Sequence, residues 1–438
     1  MKGFLIVILY MAAALIPVIY ASLFGYPYRN IVYEMGRNFA LLGFMILVLQ
    51  VFLASRIRWI ERPFGFDILI RYHRHMGIFA LLLVLSHPLL LASGSGNWGL
   101  VTGLNVSWHI WLGRVALVLL AVSIILSVYQ RPLGLTFERW RIIHDVLSPL
   151  AIVFAFIHSY LTGMDLNLAA MRVMWITGLA AVFLTFAYHR IIRPVLLRKH
   201  AYRVTEVIPE AEGVWTVKLA PQKGGPVFDY LPGQFQFITF FRGRNLPEEE
   251  HHWTISSSPA RREYVSSTIK ALGDFTSTIG ETRPGDTAAV HGAFGRFSYV
   301  LHPQERDLVF IAGGIGITPL MSMIRHMRDT KDNRSVLLLY ANRNEEQIVF
   351  ARELAEIEAG GHPSLRVVHV LSGPSPGWRG ETGLLGREKI RRLCGEDLQG
   401  KVFYVCGPPG LADSVVDALE FLNVADRQIR LEIFSFLD

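Results

Sequence analysis

Cysteine is nearly absent from this chain: its 438 residues hold only Cys394 and Cys406. That excludes a disulfide scaffold and suits a reducing compartment. No Cys-x-x-Cys-His occurs, so any haem must be held without covalent attachment. Charge is also scarce, at 18% of residues against 51% hydrophobic. Acidic residues are rarest in the first 200 positions, where Lys and Arg far outnumber them; beyond, acids slightly exceed bases. The net charge of +7 therefore reflects cationic flanks of apolar segments and gives no support to nucleic-acid binding. The length suits about two to three domains.

Long apolar runs are what the first 200 residues do have. Six of them, near residues 3–24, 36–57, 69–92, 107–129, 140–162 and 170–192, approach or exceed the ~20 residues of a membrane-spanning helix. The first, MKGFLIVILYMAAALIPVIYAS, has the look of a signal peptide, but its apolar core exceeds the usual 7–15 residues and reads better as an uncleaved span. The loops SRIRWIERPF, YQRPLGLTFERWR and HRIIRPVLLRK are strongly basic; the alternate loops SGSGNWGLVTGLNVS and GMDLNLA carry neither Lys nor Arg. Basic loops face the cytoplasm. The expectation is a multi-pass protein of the cell (inner) membrane, surrounded by lipid, with both termini cytoplasmic.

The spans carry histidine, which is costly in hydrocarbon and marks function. His73 and His87 lie fourteen residues apart in the third span, His144 and His158 fourteen apart in the fifth. Fourteen residues return to within about 40° of the starting direction and rise ~21 Å, so each pair shares a helix face at two depths. Both spans run the same way, so His73 levels with His144 and His87 with His158. Two facing pairs predict two stacked b-type haems with bis-imidazole ligation. His75 points about 160° away from His73 and reads as interfacial. His109 and His189 sit at span ends and read as ordinary polar residues. Arg37 and Arg114, inside spans, either contact a haem propionate or an anionic acceptor, or snorkel to the interface.

After residue 200 the texture changes. YRVTEVIP, GVWTVKLAP, GQFQFITFF, WTISSS, VSSTIKAL and TAAVHGAFG read as closely spaced strands of a small antiparallel barrel. From about residue 305 strands alternate with helices, the pattern of a parallel α/β sheet. The expected fold is thus an all-α six-helix transmembrane bundle (1–198), an antiparallel β-barrel (199–302) and an α/β parallel-sheet domain (303–438). AGGIGITPLMSM follows an apolar strand and opens a helix. Gly313, Gly314 and Gly316 would let a pyrophosphate approach the helix start, with Thr318 as N-cap and Pro319 as first helical residue.

The stretches LPGQFQF, HHWTISSSP, IKALGDFTSTI, GGIGITPLMSM and YVCGPPG, behind a six-span, four-histidine unit, resemble the ferric reductase and NADPH oxidase superfamily, whose soluble half is a ferredoxin–NADP reductase-type module. The family's His-Pro-Phe-Thr stands here as His251-His252-Trp253-Thr254. The resemblance implies that Trp253 lies against the isoalloxazine of FAD and that Thr254 bonds near its reactive edge. It implies that His251, Lys270, Gly273 and Thr276 serve the FAD phosphates and ribityl chain. Ser256 and Ser257 are either further FAD contacts or turn formers. Cys406, Gly407 and Pro408 would flank the nicotinamide, with a small buried hydrophobe as the alternative for Cys406. Arg343 either takes a 2′-phosphate, favouring NADPH over NADH, or is an ordinary surface residue. Phe436 matches a terminal aromatic that covers the flavin, or packs a sheet edge. The activity implied is electron transfer from NADPH or NADH through FAD and two haems to an outer acceptor. Oxygen, giving superoxide, is the first reading. A ferric or cupric chelate is the second, and a periplasmic redox partner the third.

Overall fold

The structure, a computed structural model, describes residues 2–26 and 30–433; Phe436 lies outside the described residues. The chain divides into two units, Met1–Arg193 and Pro194–Asp438.

The first unit is helical: α1 (Lys2–Phe24), α2 (Ile31–Ala54), α3 (Arg58–Phe64), α4 (Phe66–Ser95), α5 (Gly99–Thr102), α6 (Trp108–Val128), α7 (Phe137–Thr162) and α8 (Ala169–Ala187). A π turn at Tyr188–Ile192 carries α8 into α9 (Arg193–Lys199). Among the described residues, six helices are long and apolar enough to cross a membrane, with mean hydropathy between 1.7 and 2.5. The second span starts five residues before its apolar run. Asn30 caps it, its side chain accepting from Tyr33 N at 2.9 Å, and Glu34 and Arg37 neutralise one another within it at 2.8 Å. Gly65 (φ +90) separates α3 from α4, and Gly96 (φ +72) ends α4.

Glycine sets the closest approaches in the bundle, as expected where apolar association depends on packing alone. A Cβ at Gly36 would stand 3.0 Å from Leu90 Cβ and 3.2 Å from the His87 carbonyl. At Gly113 on α6 it would stand 2.7 Å from the His158 ring. Elsewhere the bundle core is filled by Ala80, Ala92, Met171 and a stacked Phe44–Trp175 pair.

Among the described residues, the second unit holds two sheets. Strands β1 (Tyr202–Ala211), β2 (Val214–Pro221), β3 (Phe235–Phe241), β4 (Glu250–Thr254), β5 (Val265–Lys270) and β6 (Thr287–Phe294), with the short α10 (Asp274–Ser277), form an antiparallel sheet ordered β4-β3-β6-β1-β2-β5. Its edges meet where Ser256 N donates to Ser266 O at 2.7 Å, which curls the sheet around Val217, Leu219, Ile238, Phe240 and Ile269. The rest is β7 (Asp307–Gly313), α11 (Ile317–Asp329), β8 (Ser335–Asn342), α12 (Ala351–Gly360), β9 (Ser364–Leu371), β10 (Glu381–Thr382), α13 (Arg387–Cys394), β11 (Lys401–Cys406), α14 (Pro409–Phe421) and β12 (Ile429–Glu432). These strands are all parallel, ordered β10-β9-β8-β7-β11-β12. Chain order reverses between β7 and β11, and ligands of such sheets bind at the strand ends beside that switch point. Here those ends are Gly313 and Cys406.

Candidate functional site

In the bundle, α4 carries His73 and His87 and α7 carries His144 and His158. The rings of His73 and His144 lie 6.2 Å apart between centroids. With N–metal bonds of about 2 Å, that separation is within what two imidazoles bound to one metal ion can span, so the pair could hold one metal ion between them. Gly77, one turn along α4 from His73, adds room: a Cβ there would meet nothing within 4 Å.

All four rings are held through Nδ1. His73 bonds to the Gln50 carbonyl at 3.2 Å, His87 to the Gly36 carbonyl at 2.9 Å and His158 to the His109 carbonyl at 2.8 Å. A carbonyl only accepts, so these three rings carry their proton on Nδ1 and present an Nε2 lone pair, the state a metal ligand requires. His144 Nδ1 meets the Ser123 hydroxyl at 3.1 Å. The holders repeat the spacing of the four histidines. Gly36 and Gln50 are fourteen residues apart on α2, and His109 and Ser123 fourteen apart on α6. The pairs α2/α4 and α6/α7 each run antiparallel in constant register. Sequence reasoning missed these roles because Gly36, Gln50 and His109 act through main-chain carbonyls, which have no residue signature, and Ser123 is one of several serines in the spans; only the recurrence of fourteen could have revealed them.

The remaining polar residues of the bundle bond elsewhere. His75 Nδ1 bonds its own helix at Arg71 O, 2.8 Å, as an exposed side chain, and His189 pairs with Arg193 at 2.9 Å. Arg37 is buried between Glu34 and Asp165, at 2.8 and 3.6 Å. Arg114 donates to the carbonyls of Gly103, Leu100 and Gly99 and lies over the Trp111 ring. Each arginine thus ties a loop to a helix.

In the second unit the switch point brings two motifs into contact. A Cβ at Gly316 would stand 2.3 Å from the Cys406 carbonyl oxygen, and one at Gly313 would stand 2.9 Å from Pro408 Cδ. Gly313 and Gly316 therefore let the Cys406–Pro408 backbone close in, whereas Gly314 (φ +52) has nothing within 4 Å. Gly314 is the glycine left open to a ligand. One expectation needs correction. Thr318 is not the N-cap, nor Pro319 the first helical residue: a 3-10 turn at Gly314–Gly316 starts the helical path early and makes Gly316 the cap. The Thr318 hydroxyl instead donates back to Ile315 O at 3.0 Å, and Pro319 occupies the first turn, where its missing N–H costs nothing. The Cys406 side chain is fully buried among Phe310, Ile317 and Tyr404. Burial pushes its thiol well above the usual range, so it stays protonated and packs as a small hydrophobe.

On the barrel, strand alternation turns His251 and Trp253 to one face. Their rings and that of Phe275 form an aromatic group with centroids 4.3 to 5.9 Å apart, and Glu249 bonds His251 Nε2 at 3.0 Å. A broad aromatic face of this kind fits a flat π-system. Phe275 was not among the expected residues; it lies in the same GDFT stretch. Thr254 is buried on the opposite face, its carbonyl accepting from Ser267. The Thr276 hydroxyl oxygen accepts from the backbone N–H groups of Leu272 and Gly273, both at 2.9 Å. It folds the exposed loop beside half-buried Lys270, and Gly273 has open space around it. Ser256 and Ser257 are spent internally: the first bonds Ser266 and Thr268, the second Tyr230 and Ser266 N. Arg343 is exposed just past the C-terminal end of β8, on the ligand-binding edge of the sheet.

A brace joins the two motifs. Ser322 on α11 donates to Ser257 O at 2.7 Å, and Arg325 Nη1 to Ser256 O at 2.7 Å. Arg325 is gripped by both oxygens of Glu353, at 3.0 and 2.6 Å, and stacks over Phe350. Burial alone would raise the Glu353 carboxyl, but Arg325 and Arg328 together hold it below its ordinary value. The helix that begins at the glycine turn is thereby tied to the chain leaving Thr254.

Comparison with known proteins agrees with this division. Residues 39–155 match the family described as ferric reductase like transmembrane component, and residues 310–417 match the oxidoreductase NAD-binding domain. An NADH-cytochrome b5 reductase-like protein of Arabidopsis thaliana is 28% identical over 166 residues, 37% of this chain and 50% of the relative. The glycine betaine monooxygenase reductase subunit of Pseudomonas aeruginosa is 29% identical over 227 residues, 51% of this chain and 60% of the relative. The chain thus spans only about half to three-fifths of these relatives. Among solved structures, the flavohem-like FAD/NAD-binding domain of nitric oxide dioxygenase from Vibrio cholerae is 24% identical, with a TM-score of 0.47, covering 53% of this chain and 98% of that one. Matches and fold together define a multi-pass membrane oxidoreductase with an FAD- and NAD(P)H-binding reductase module. More particularly, a segment similar to the ferric-reductase-like transmembrane component precedes one similar to the oxidoreductase NAD-binding domain.

Proposed function

We propose that this chain carries electrons from cytosolic NADPH or NADH through FAD and two b haems to an acceptor on the outer face of the cell membrane, and that the acceptor is oxygen, released as superoxide. The observation that supports this best is the uniform fixing of four histidines through Nδ1, in two levels of one register. It leaves Nε2 lone pairs on His73, His87 and His158, and on His144 where the Ser123 hydroxyl accepts from its Nδ1, for two metal centres. When bound, FAD and haem supply the conversion of a hydride into single electrons and their carriage.

The chain's own residues bind and orient. His73 with His144, and His87 with His158, would hold the haem irons from both sides and leave no open coordination position. Trp253 would cover the flavin, Thr254 would bond near its reactive edge, and His251, Lys270, Gly273 and Thr276 would meet the diphosphate and ribityl chain. Gly314, Gly407 and Pro408 would receive the nicotinamide nucleotide beside the switch point, while the Arg325 brace keeps that loop in line with the flavin strand. Arg343 would take a 2′-phosphate.

Oxygen suits the acceptor end because the cations described there, Arg37, Arg114 and Arg172, all bond protein oxygens. An anionic ferric or cupric chelate would find them engaged, and an uncharged acceptor needs none. Purified protein in detergent tests the reading: NADPH-driven cytochrome c reduction should be abolished by superoxide dismutase. Reduction insensitive to dismutase, or faster reduction of a ferric chelate, would replace oxygen with a redox protein or a metal chelate.

A further inference from the structure

The two histidine levels are not equivalent. Three rings give their Nδ1 proton to a main-chain carbonyl, and His144 does not. The register that puts His158 on the carbonyl of His109 brings His144 to that of Ser123. That carbonyl is already taken, by the Ser127 hydroxyl at 2.7 Å. His144 meets the Ser123 hydroxyl instead, at 3.1 Å, with Ser127 Oγ and Ser148 Oγ farther off at 3.4 and 3.5 Å. Ser123 Oγ lies 3.0 Å from Ser148 Oγ, and Trp140 Nε1 donates to Ser127 Oγ at 3.0 Å while its ring stacks on His144. Serine in a membrane helix ordinarily bonds back to its own helix. Ser86, Ser95 and Ser127 do so. The Ser123 hydroxyl, 1% exposed, reaches across to α7.

We propose that Ser123 is a tuning residue, which raises the electron affinity of the haem held by His73 and His144 above what a carbonyl at its place would give. The proposal rests on the haem reading. With Nε2 on the metal, His144 carries its proton on Nδ1, and the Ser123 oxygen must accept it. An amide carbonyl is a fixed and strong acceptor that enriches the imidazole in electrons. A hydroxyl accepts less strongly than that carbonyl would. The ligand therefore donates less to the iron, and hydrogen bonding of this kind is one of the protein's levers on haem potential. The level so tuned is the one that, in the proposed direction, receives electrons from the flavin.

The test is a spectroelectrochemical titration of the full-length protein in detergent, with both haems resolved. Ser123→Ala removes the acceptor and should shift one haem three- to tenfold toward the reduced form, about 30–60 mV upward for a one-electron couple at 59 mV per tenfold, leaving the other in place. Ser123→Thr keeps the hydroxyl and should restore the original value. Ser127→Ala frees the Ser123 carbonyl and should move the same haem downward. No shift in either alanine variant, or equal shifts of both haems, would overturn the proposal. If Ser123→Ala fails to bind haem, Ser127→Ala decides: a downward shift of one haem supports the proposal and no shift ends it. A wild-type protein without two haems would overturn the haem reading itself, a distinct result.

Discussion

In the bundle each critical side chain is fixed by hydrogen bonding to a neighbouring helix; in the reductase module the critical stretches are fixed by backbone shape. His87 has Gly36 O and His158 has His109 O. Gly316, by contrast, has only the absence of a side chain, which admits the Cys406 carbonyl. The difference follows from the surroundings. Lipid offers no hydrogen bonds, so every polar atom of a span needs a protein partner and each partnership carries weight. In the water-exposed module polar partners are plentiful, and specificity comes from which backbones can come close.

The largest expected effect would break the bundle side. His87→Leu should remove one of two low-spin b haems and abolish acceptor reduction, while FAD reduction by NAD(P)H survives; the pyridine haemochrome content and stopped-flow flavin bleaching read both halves. Retention of two haems would remove His87 from the ligand set. On the module side, Arg343→Ala should weaken NADPH use by the ~1.5–3 kcal/mol of a charge-assisted contact and leave NADH nearly unchanged. Equal losses in the two KM values would assign Arg343 to the fold instead.

Smaller effects sharpen the contrast. Gly316→Ala forces a Cβ against a carbonyl and should cost about 1–3 kcal/mol of overpacking, read as a lower melting temperature and loss of FAD. Gly314→Ala meets open space and should cost only the left-handed backbone penalty, roughly 1–2 kcal/mol, keeping FAD while slowing reduction by nucleotide. Similar behaviour of the two variants would contradict the division of labour between them. The least effect is the acid response of the brace. The Glu353 carboxyl lies below its unfolded value, so its contribution is complete above the ordinary glutamate range near 4.3 and fades as pH falls through the lowered value. Thermal unfolding between pH 6 and 3 should show a shallower acid decline for Glu353→Gln than for wild type; matching slopes would exonerate Glu353.

The six spans, the barrel and the parallel sheet were legible because each imposes its own period on apolar residues. The four histidines proposed as ligands stood out because histidine is rare in hydrocarbon and their spacing repeats. What held them was hidden: Gly36, Gln50 and His109 act through carbonyl oxygens, which every residue owns. The early start of α11 was hidden for a related reason, since a 3-10 turn of glycines has no apolar period and the Thr-Pro pair mimics a cap. Ser256 and Ser257 stood open between FAD contacts and turn formers, because hydroxyls at a strand end are ambiguous until their partners are seen. The terminal aromatic Phe436 lies outside the described residues.

The matched spacing of fourteen on α2 and α4 gears the two levels together. The helices mesh at Gly36 with His87 and at Gln50 with His73, like two racks engaged at two teeth. A slide of α2 along α4 by one turn would disengage both teeth at once, so neither centre could adjust alone. Inserting a single residue between positions 37 and 49 would change the pitch of one rack only. One tooth would stay engaged while the other turned about 100° away. The ~21 Å between the levels is therefore a built-in length, set twice, by two helices that cannot drift apart in register without one of them being recut.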